Sequence, residues 1–539
     1  MQSSGDANGL VSRTDWSSVD WRKADDRVAG WSSRSVRFGP CAWIYRALPL
    51  ATMWRLSNES LTEFDMRTLA SLLALLAVVS VSHVAEAQGV LKWTLGGQAA
   101  SNYVMTADGS PLSAPGAALS LRSTTTTASG FGSLSTFIPV DTFAGRRVRI
   151  SADIETKDVS TSASVWLRAD SGGKMLILDN GADQGIKGTT TESKHMDVTV
   201  YVPPSATTLV FGLLLSGTGE ATARNVLVVA RPVVAANAPL APDAQRELDT
   251  AFAIVRRGSL WRDTVTWSRV EPEVRAIAAG AETVADTYPA IRALLARLGD
   301  HHSFLLKPQG ASAFRSGGAQ NPRPLVRVQT DGIGYISVPA YSGADKSAAE
   351  AYVRTVHDSL AHAVNAGAGV CRWILDLRTN GGGNMWPMLG GLRPFVGEAG
   401  LGSFVSAAGS GPLWHARDQV DLTPPATLTP LESANVAVLT GPRTASPGEA
   451  VTISFIGRPR TRLFGLPTAG LSTANATLPL PSGAMLVLTT AVEADRTGKR
   501  YGEKITPDEV IPAAASGAAD DPQMERAVAW LKSQSCDRF

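Results

Sequence analysis

The chain has 539 residues, 44% hydrophobic and 18% charged, which supplies apolar material for more than one core and excludes global disorder. A formal net charge of +2, with no run of Lys or Arg able to track a phosphate backbone, excludes nucleic acid as an expected partner. Its three cysteines form no Cys-x-x-Cys and no His/Cys cluster, so no metal or other cofactor is expected.

Near the N-terminus, Met66-Arg67 is followed by an apolar run from Leu69 to Val81 and then by Ala85-Glu86-Ala87 before Gln88. A charged start, a short apolar stretch and a small-x-small site are the order of a secretory signal. A spanning helix needs ~20 predominantly apolar residues. Residues 66–87 are therefore read as a signal peptide cleaved after Ala87 rather than a retained anchor. Residues 1–65 would precede that signal and are read as a non-native upstream extension. The protein is then expected to be exported, periplasmic or extracellular, with no membrane span after cleavage. Cys371 and Cys536 remain in the mature chain, in a compartment where a disulfide persists; either they pair, or Cys371 is a small buried hydrophobe opening a core strand.

Residues 88–230 read as short alternating segments such as Arg147 to Ala152, Ser164 to Arg168 and Thr208 to Leu213, separated by turn residues, which predicts an N-terminal, jelly-roll-like β-sandwich. Trp93, Tyr103, Trp166 and Tyr201 are either stacking platforms for a glycan or core residues; a spacer or docking domain is the alternative. The Pro/Ala-rich stretch 231–243 reads as a stiff linker. Residues 244–310 carry helical periodicity in Leu248, Ala251, Phe252 and Val255 and again in Tyr288, Ile291, Leu294, Leu295 and Leu298, predicting a small helical subdomain. In 311–539, strands (Gly334 to Ala340, Arg372 to Leu377, Ala434 to Thr440, Met485 to Val492) alternate with helices (Ala348 to Val364, and one including Val451 to Ile456), which predicts an α/β domain.

Three segments in this last half carry chemistry. The strand through Leu375-Asp376-Leu377 runs into Gly381-Gly382-Gly383, where residues without Cβ can turn backbone N–H groups toward an anion. The strand Val436 to Thr440 runs into Ser446-Pro447-Gly448-Glu449, a capping-box sequence; a serine at such a turn also presents its oxygen beside the positive end of a helix. His301 and His302 follow a helix in Gly299-Asp300-His301-His302, and histidine is the side chain suited to take a proton from serine near neutral pH. His195, His357 and His362 suit solvated or core roles, and His415 stands alone in a loop.

Taken in order, these segments resemble the tail-specific and tricorn-core family of serine peptidases, which is C-terminal processing peptidase-like. Its members share a Leu-x-Asp-x-His segment, an Asp-Leu-Arg-x-Asn-x-Gly-Gly loop, a Ser-x-x-Glu turn and a Glu shortly before Pro-Asp. The resemblance spans residues 244 to 512 and implies a crotonase-like (ClpP/crotonase) catalytic fold acting on a peptide or protein substrate. It implies Ser446 as nucleophile, His302 as general base, Glu503 as acidic member and the Gly382/Gly383 loop as oxyanion site. Leu471 stands where the Ser-Lys branch carries its lysine, which leaves the histidine-type mechanism. His301 occupies the place of a serine, so the link from Glu503 to His302 can run through His301. Pro447 lacks the N–H that the residue after the nucleophile normally donates, and Gly448 is the candidate substitute. The rival reading is a catalytically inactive peptide-binding or glycan-binding envelope protein on the same fold.

Overall fold

The computed structural model describes residues 91–107, 117–127, 130–317, 321–366, 370–514 and 520–536. The signal-like segment 66–87 and the upstream residues 1–65 lie outside them. Among the described residues no helix is long and apolar enough to cross a membrane.

Apart from 3-10 turns at Ala100–Asn102 and Ala182–Gln184, the regular elements described in the N-terminal part are strands: β1 (Thr94–Gly96), β2 (Tyr103–Ala107), β3 (Ala118–Ser123), β4 (Phe131–Pro139), β5 (Arg147–Lys157), β6 (Val159–Ser171), β7 (Lys174–Asp179), β8 (Ile186–Gly188), β9 (Lys194–Tyr201), β10 (Thr208–Ser216) and β11 (Glu220–Ala230). They form two antiparallel sheets, ordered β1-β4-β10-β6-β7 with β8 on β6, and β2-β3-β11-β5-β9. Alternate residues of both, such as Val148, Ile150 and Ile154 of β5 with Val165, Leu167, Leu209 and Phe211 of β6 and β10, meet in one apolar core. Trp93, Tyr103 and Trp166 are buried, at 9%, 3% and 3% exposure, so these aromatics fill the interior and offer no stacking face to a glycan.

After residues 231–241, which are neither helix nor strand, three helices follow: α1 (Pro242–Gly258), α2 (Trp267–Ala278) and α3 (Tyr288–Ala296). Helix α1 opens with Pro242, carries Asp243 in its first turn and Arg256 and Arg257 in its last, each on the side the helix dipole favours. The periodic residues Leu248, Phe252, Val255, Ile291, Leu294 and Leu298 are all buried, in a core that also takes Leu486 and Leu488.

The remaining elements are β12 (Phe304–Leu306), α4 (Pro308–Ser316), β13 (Leu325–Val328), β14 (Gly334–Ser337), α5 (Lys346–Ala366), β15 (Arg372–Asp376), α6 (Met385–Val396), β16 (Gly402–Ser406), β17 (Gly409–Trp414), β18 (Asn435–Thr440), α7 (Pro447–Phe455), β19 (Thr461–Gly465), β20 (Thr473–Pro479), β21 (Met485–Asp495), β22 (Glu509–Val510) and α8 (Pro522–Ser533). One sheet runs β13-β14-β15-β18-β19-β22, with parallel pairing from β14 to β22. Its strands are covered on both faces. Ile336, Leu375, Val438 and Leu463 pack with α5, α6 and α7, while Tyr335, Ile374, Leu439 and Phe464 pack with Ala527 and Leu531 of α8. The second sheet, β12-β21-β16-β17 with β20 on β21, is antiparallel and joins the helical segment to this layer. Cys371 and Cys536 form a disulfide, with Cα atoms 5.8 Å apart, that ties the end of the chain beyond α8 to the start of β15.

Candidate active site

Every residue of β18 is buried, and its carboxyl end leads through Gly441 to Ala445 into Ser446. This turn is laced to the loop after β15: Thr444 Oγ1 donates to the Leu377 carbonyl at 2.8 Å, and the Ala445 N–H donates to the Asn380 carbonyl at 3.0 Å. Ser446 sits at φ 55°, ψ −123°, a region that a residue with a Cβ adopts at a cost of about 1–3 kcal/mol and only where its surroundings impose it. Glu449 is part of that constraint. Its buried carboxylate accepts the Ser446 N–H at 2.9 Å, the Leu471 N–H at 2.8 Å, the Gly470 N–H at 3.0 Å and the Thr468 hydroxyl at 2.5 Å. Burial pushes the Glu449 carboxyl up and these four donors pull it down, with burial the larger influence. Glu493, also buried, is pushed well above the carboxylate range by burial and by the neighbouring Glu449 charge.

His302 reaches Ser446 from the segment between α3 and β12. Asp300 shapes that segment by accepting the His302 and Ser303 N–H groups at 3.1 and 3.0 Å and the Ser303 hydroxyl at 2.6 Å. The His302 carbonyl accepts from Asn475 Nδ2 at 3.0 Å. The ring, 7% exposed, places Nε2 2.8 Å from Ser446 Oγ and Nδ1 2.6 Å from Thr473 Oγ1. With a proton on Nδ1 donated to Thr473, the Nε2 lone pair faces the serine hydroxyl, which is the tautomer a base needs. Burial lowers the His302 pKa to about 4, against the opposing influence of Asp300, so the ring is neutral across the physiological range.

Two sequence expectations are corrected by this geometry. Glu503 does not meet His302: its side chain is exposed, with no hydrogen bond or ion pair among the described residues, and only its carbonyl is engaged, by Ser472 Oγ at 2.6 Å. The chain leaves β21 through a tight hairpin and passes Gly502 at φ 132°, which carries Glu503 outward; Nδ1 of the histidine is left to Thr473. His301, at φ 55°, is also exposed and forms no bridge to Glu503; both line a groove of about 1090 Å³ whose lining includes neither His302 nor Ser446. Nor are the three glycine N–H groups equivalent. The Gly448 N–H donates to the Ala445 carbonyl at 2.9 Å, and a Cβ there would lie 2.5 Å from the Asn380 carbonyl, so this glycine serves close packing. Gly382 donates to Asn380 Oδ1 at 3.0 Å and lies against Ser446, whose Cβ would be 3.0 Å from a Cβ at 382. Gly383, at φ 107°, is the one of the three whose N–H has no intramolecular acceptor among the described residues.

Thr473 went unremarked in the sequence because nothing local marks it; only the pairing of β20 with β21, Thr473 opposite Val492, brings it under the imidazole. Asp300 stood within the Leu-x-Asp-x-His pattern, and its service to the loop backbone is what that spacing allows. Among the described residues no group of His, Cys, Asp and Glu is arranged to hold a metal.

A covered parallel layer with a serine at a strand-to-helix turn and a histidine on its hydroxyl is an arrangement found in hydrolases of the acyl-transfer type. Residues 332–511 match the model of Peptidase family S41, and this part of the chain is a domain of that tail-specific, C-terminal processing peptidase family. Ser446 and the glycine loop fall inside the matched stretch, and His302 precedes it. The chain is 27% identical over 299 residues to the nisin-resistance protein of Lactococcus lactis subsp. lactis, covering 54% of this chain and 88% of that protein. Among solved structures it is similar to a lipoprotein from Streptococcus agalactiae (25% identity, 55% of this chain and 98% of that one, TM-score 0.47). It is also similar to the photosystem II D1 C-terminal processing protease (15% identity, 56% and 100%, TM-score 0.39).

Proposed function

We propose that the protein is an exported serine-type peptidase in which Ser446 attacks the scissile carbonyl of a peptide or protein substrate and His302 is the general base. The Ser446 proton passes to His302 Nε2 as the oxygen–carbon bond forms; the imidazolium returns it to the leaving amine as the carbon–nitrogen bond breaks. Water, deprotonated in turn by His302, then hydrolyses the acyl-enzyme. The Gly383 N–H is the donor assigned to the oxyanion, and Thr473 is the residue that fixes the imidazole tautomer. The observation that carries this reading is the 2.8 Å contact between His302 Nε2 and a Ser446 Oγ held at a strained turn.

On this reading the site belongs to a crotonase-like domain within 311–539, preceded by a β-sandwich at 88–230 and a helical subdomain at 244–310. Export rests on the signal-like order of residues 66–87 and is supported by the Cys371–Cys536 disulfide, a bond at home outside the reducing cytosol. A fluorophosphonate label followed by peptide mapping tests the assignment: modification is expected on Ser446 and lost in Ser446→Ala, together with cleavage of casein-type substrates. Nisin belongs in the substrate set because a relative carries its name. Parental cleavage by Ser446→Ala would end the proposal. The inactive alternative draws on Pro447, and it predicts no labelling together with saturable binding of extended peptides.

A further inference from the structure

The segment that carries His302 is gripped on both sides by the N-terminal strands. Arg292 lies on α3, before His302 in the chain, and Lys307 lies directly after β12, beyond it. Both side chains converge on one carboxylate of the other part of the molecule, Asp179 at the end of β7. Arg292 Nη1 pairs with Asp179 Oδ2, and Lys307 Nζ lies 3.2 Å from the same oxygen and 3.5 Å from Asp183 Oδ1. Asp179 Oδ1 is set by the Gly181 N–H at 3.1 Å. The Asp179, Asp183 and Lys307 side chains are 4%, 10% and 9% exposed, so this is an interior ion cluster. Burial alone would raise the Asp179 carboxyl, but Arg292 and Lys307 outweigh it and hold the group ionised, well below the carboxylate range. A second polar contact between the same parts lies elsewhere: Arg147 of β5 donates to the carbonyls of Ala278, Ala279 and Asp286 at 3.4, 2.9 and 3.1 Å, at the end of α2 and the turn before α3.

We propose that Asp179 and Lys307 are positioning residues for the proposed peptidase reaction: through this interior clamp the N-terminal strands hold the His302 segment at hydrogen-bonding distance from Ser446. The inference rests on the reading of His302 as the base that serves Ser446. Its physical basis is the direction of the grip. Freed of the clamp, α3 and β12 keep their own apolar contacts, but the turn between them gains freedom along the line on which a 2.8 Å contact must be kept. A displacement of an ångström there costs on the order of 10²-fold in rate. The N-terminal strands are then part of the catalytic device rather than a spacer.

The test compares full-length variants. Lys307→Met removes one arm of the clamp and leaves Asp179 paired with Arg292, which keeps the fold; Lys307→Arg restores the charge. Arg147→Met weakens the other contact, away from His302. Lys307→Met is expected to lower kcat by at least about tenfold with KM little changed. The acid limb of its pH–rate profile should move from about 4 toward 6.5 as the imidazole becomes wetter, Asp300 being the charged group that acts on it. Lys307→Arg is expected to recover most of both, and Arg147→Met to lower thermal stability while kcat and the profile hold. Titration of the His302 imidazole by NMR in the parent and in Lys307→Met gives the same answer without turnover. If the parent neither cleaves nor labels, the peptidase reading fails, and the titration still decides whether the clamp sets the ring's environment. A folded Lys307→Met with parental kcat and parental titration overturns the clamp, as does an equal loss in Arg147→Met.

Discussion

Burial holds the His302 imidazole neutral down to about pH 4, and on the proposed mechanism only the neutral ring accepts the Ser446 proton. The acid limb of kcat/KM is therefore expected near pH 4, with activity flat from there to neutrality. The same shift acts on stability with a definite sign. The folded value lies below the ordinary 6.5, so the unfolded chain takes up a proton first as pH falls. This group's contribution is fully present above pH 6.5 and is lost between 6.5 and 4, amounting to roughly 3 kcal/mol; urea unfolding at pH 7 and pH 4.5 measures it. Which residue stands behind the ring is a second question at this scale. Thr473→Val keeps the side-chain shape and removes the Nδ1 partner, a hydrogen bond worth about 1 kcal/mol, so kcat should fall roughly fivefold. Glu503→Gln, at an exposed position out of contact with the ring, should leave kcat within about twofold. The opposite ranking in steady-state kinetics would restore Glu503 to the site.

At the scale of the element, the turn from β18 into α7 joins a structural and a chemical demand. Glu449 reaches back to the Ser446 N–H as its capping-box spacing foretold, but it also gathers Thr468, Gly470 and Leu471, so the helix start is sewn to the segment leading into β20. Proline at the first helical position suits the cap and, on the proposed mechanism, leaves the turn without the N–H that would join Gly383 at the oxyanion. Pro447→Ala should supply that donor. We expect kcat to rise by about tenfold or more, with a stability loss under about 1 kcal/mol from the freer unfolded chain. Unchanged kcat in the well-folded variant would place the second donor elsewhere. What the sequence could disclose here was local: strand, glycines, cap and the Leu-x-Asp-x-His pattern are each contiguous. What it hid depends on pairing between distant strands, as when the β20–β21 register delivers Thr473, or on which N–H groups are already engaged, as at Gly382 and Gly448.

Over the whole molecule, periodicity carried the layers, since Leu248 to Val255 and Tyr288 to Leu298 form helical faces and Arg147 to Ala152 falls within a strand. The polar joints between the parts left no trace in it. Arg147 opens β5 and Asp179 closes β7, and their partners are far along the chain. The cysteines show the same limit, for spacing left their pairing open and the fold decides it. The bridge encloses a sequence separation of 165 residues, for which loss of chain entropy in the unfolded state is about 5 kcal/mol. It also anchors the segment after α8, and the start of that helix matters to the site. Asp521 holds Arg378 at 2.8 and 2.9 Å, close to Asn380, whose side chain and carbonyl engage Gly382 and Ala445. Because these contacts do not run through the bridge, which lies at the other end of α8, reduction is expected to change stability far more than activity. Guanidinium unfolding of the oxidised and reduced protein is expected to show a lower midpoint on reduction, corresponding to roughly 3–5 kcal/mol, while kcat at 25 °C stays within about twofold. Coincident unfolding curves would mean that the enclosed chain is already constrained when unfolded. A collapse of kcat in the folded, reduced protein would mean instead that the bridge, and not Arg378 with Asp521, sets the loop beside Ser446.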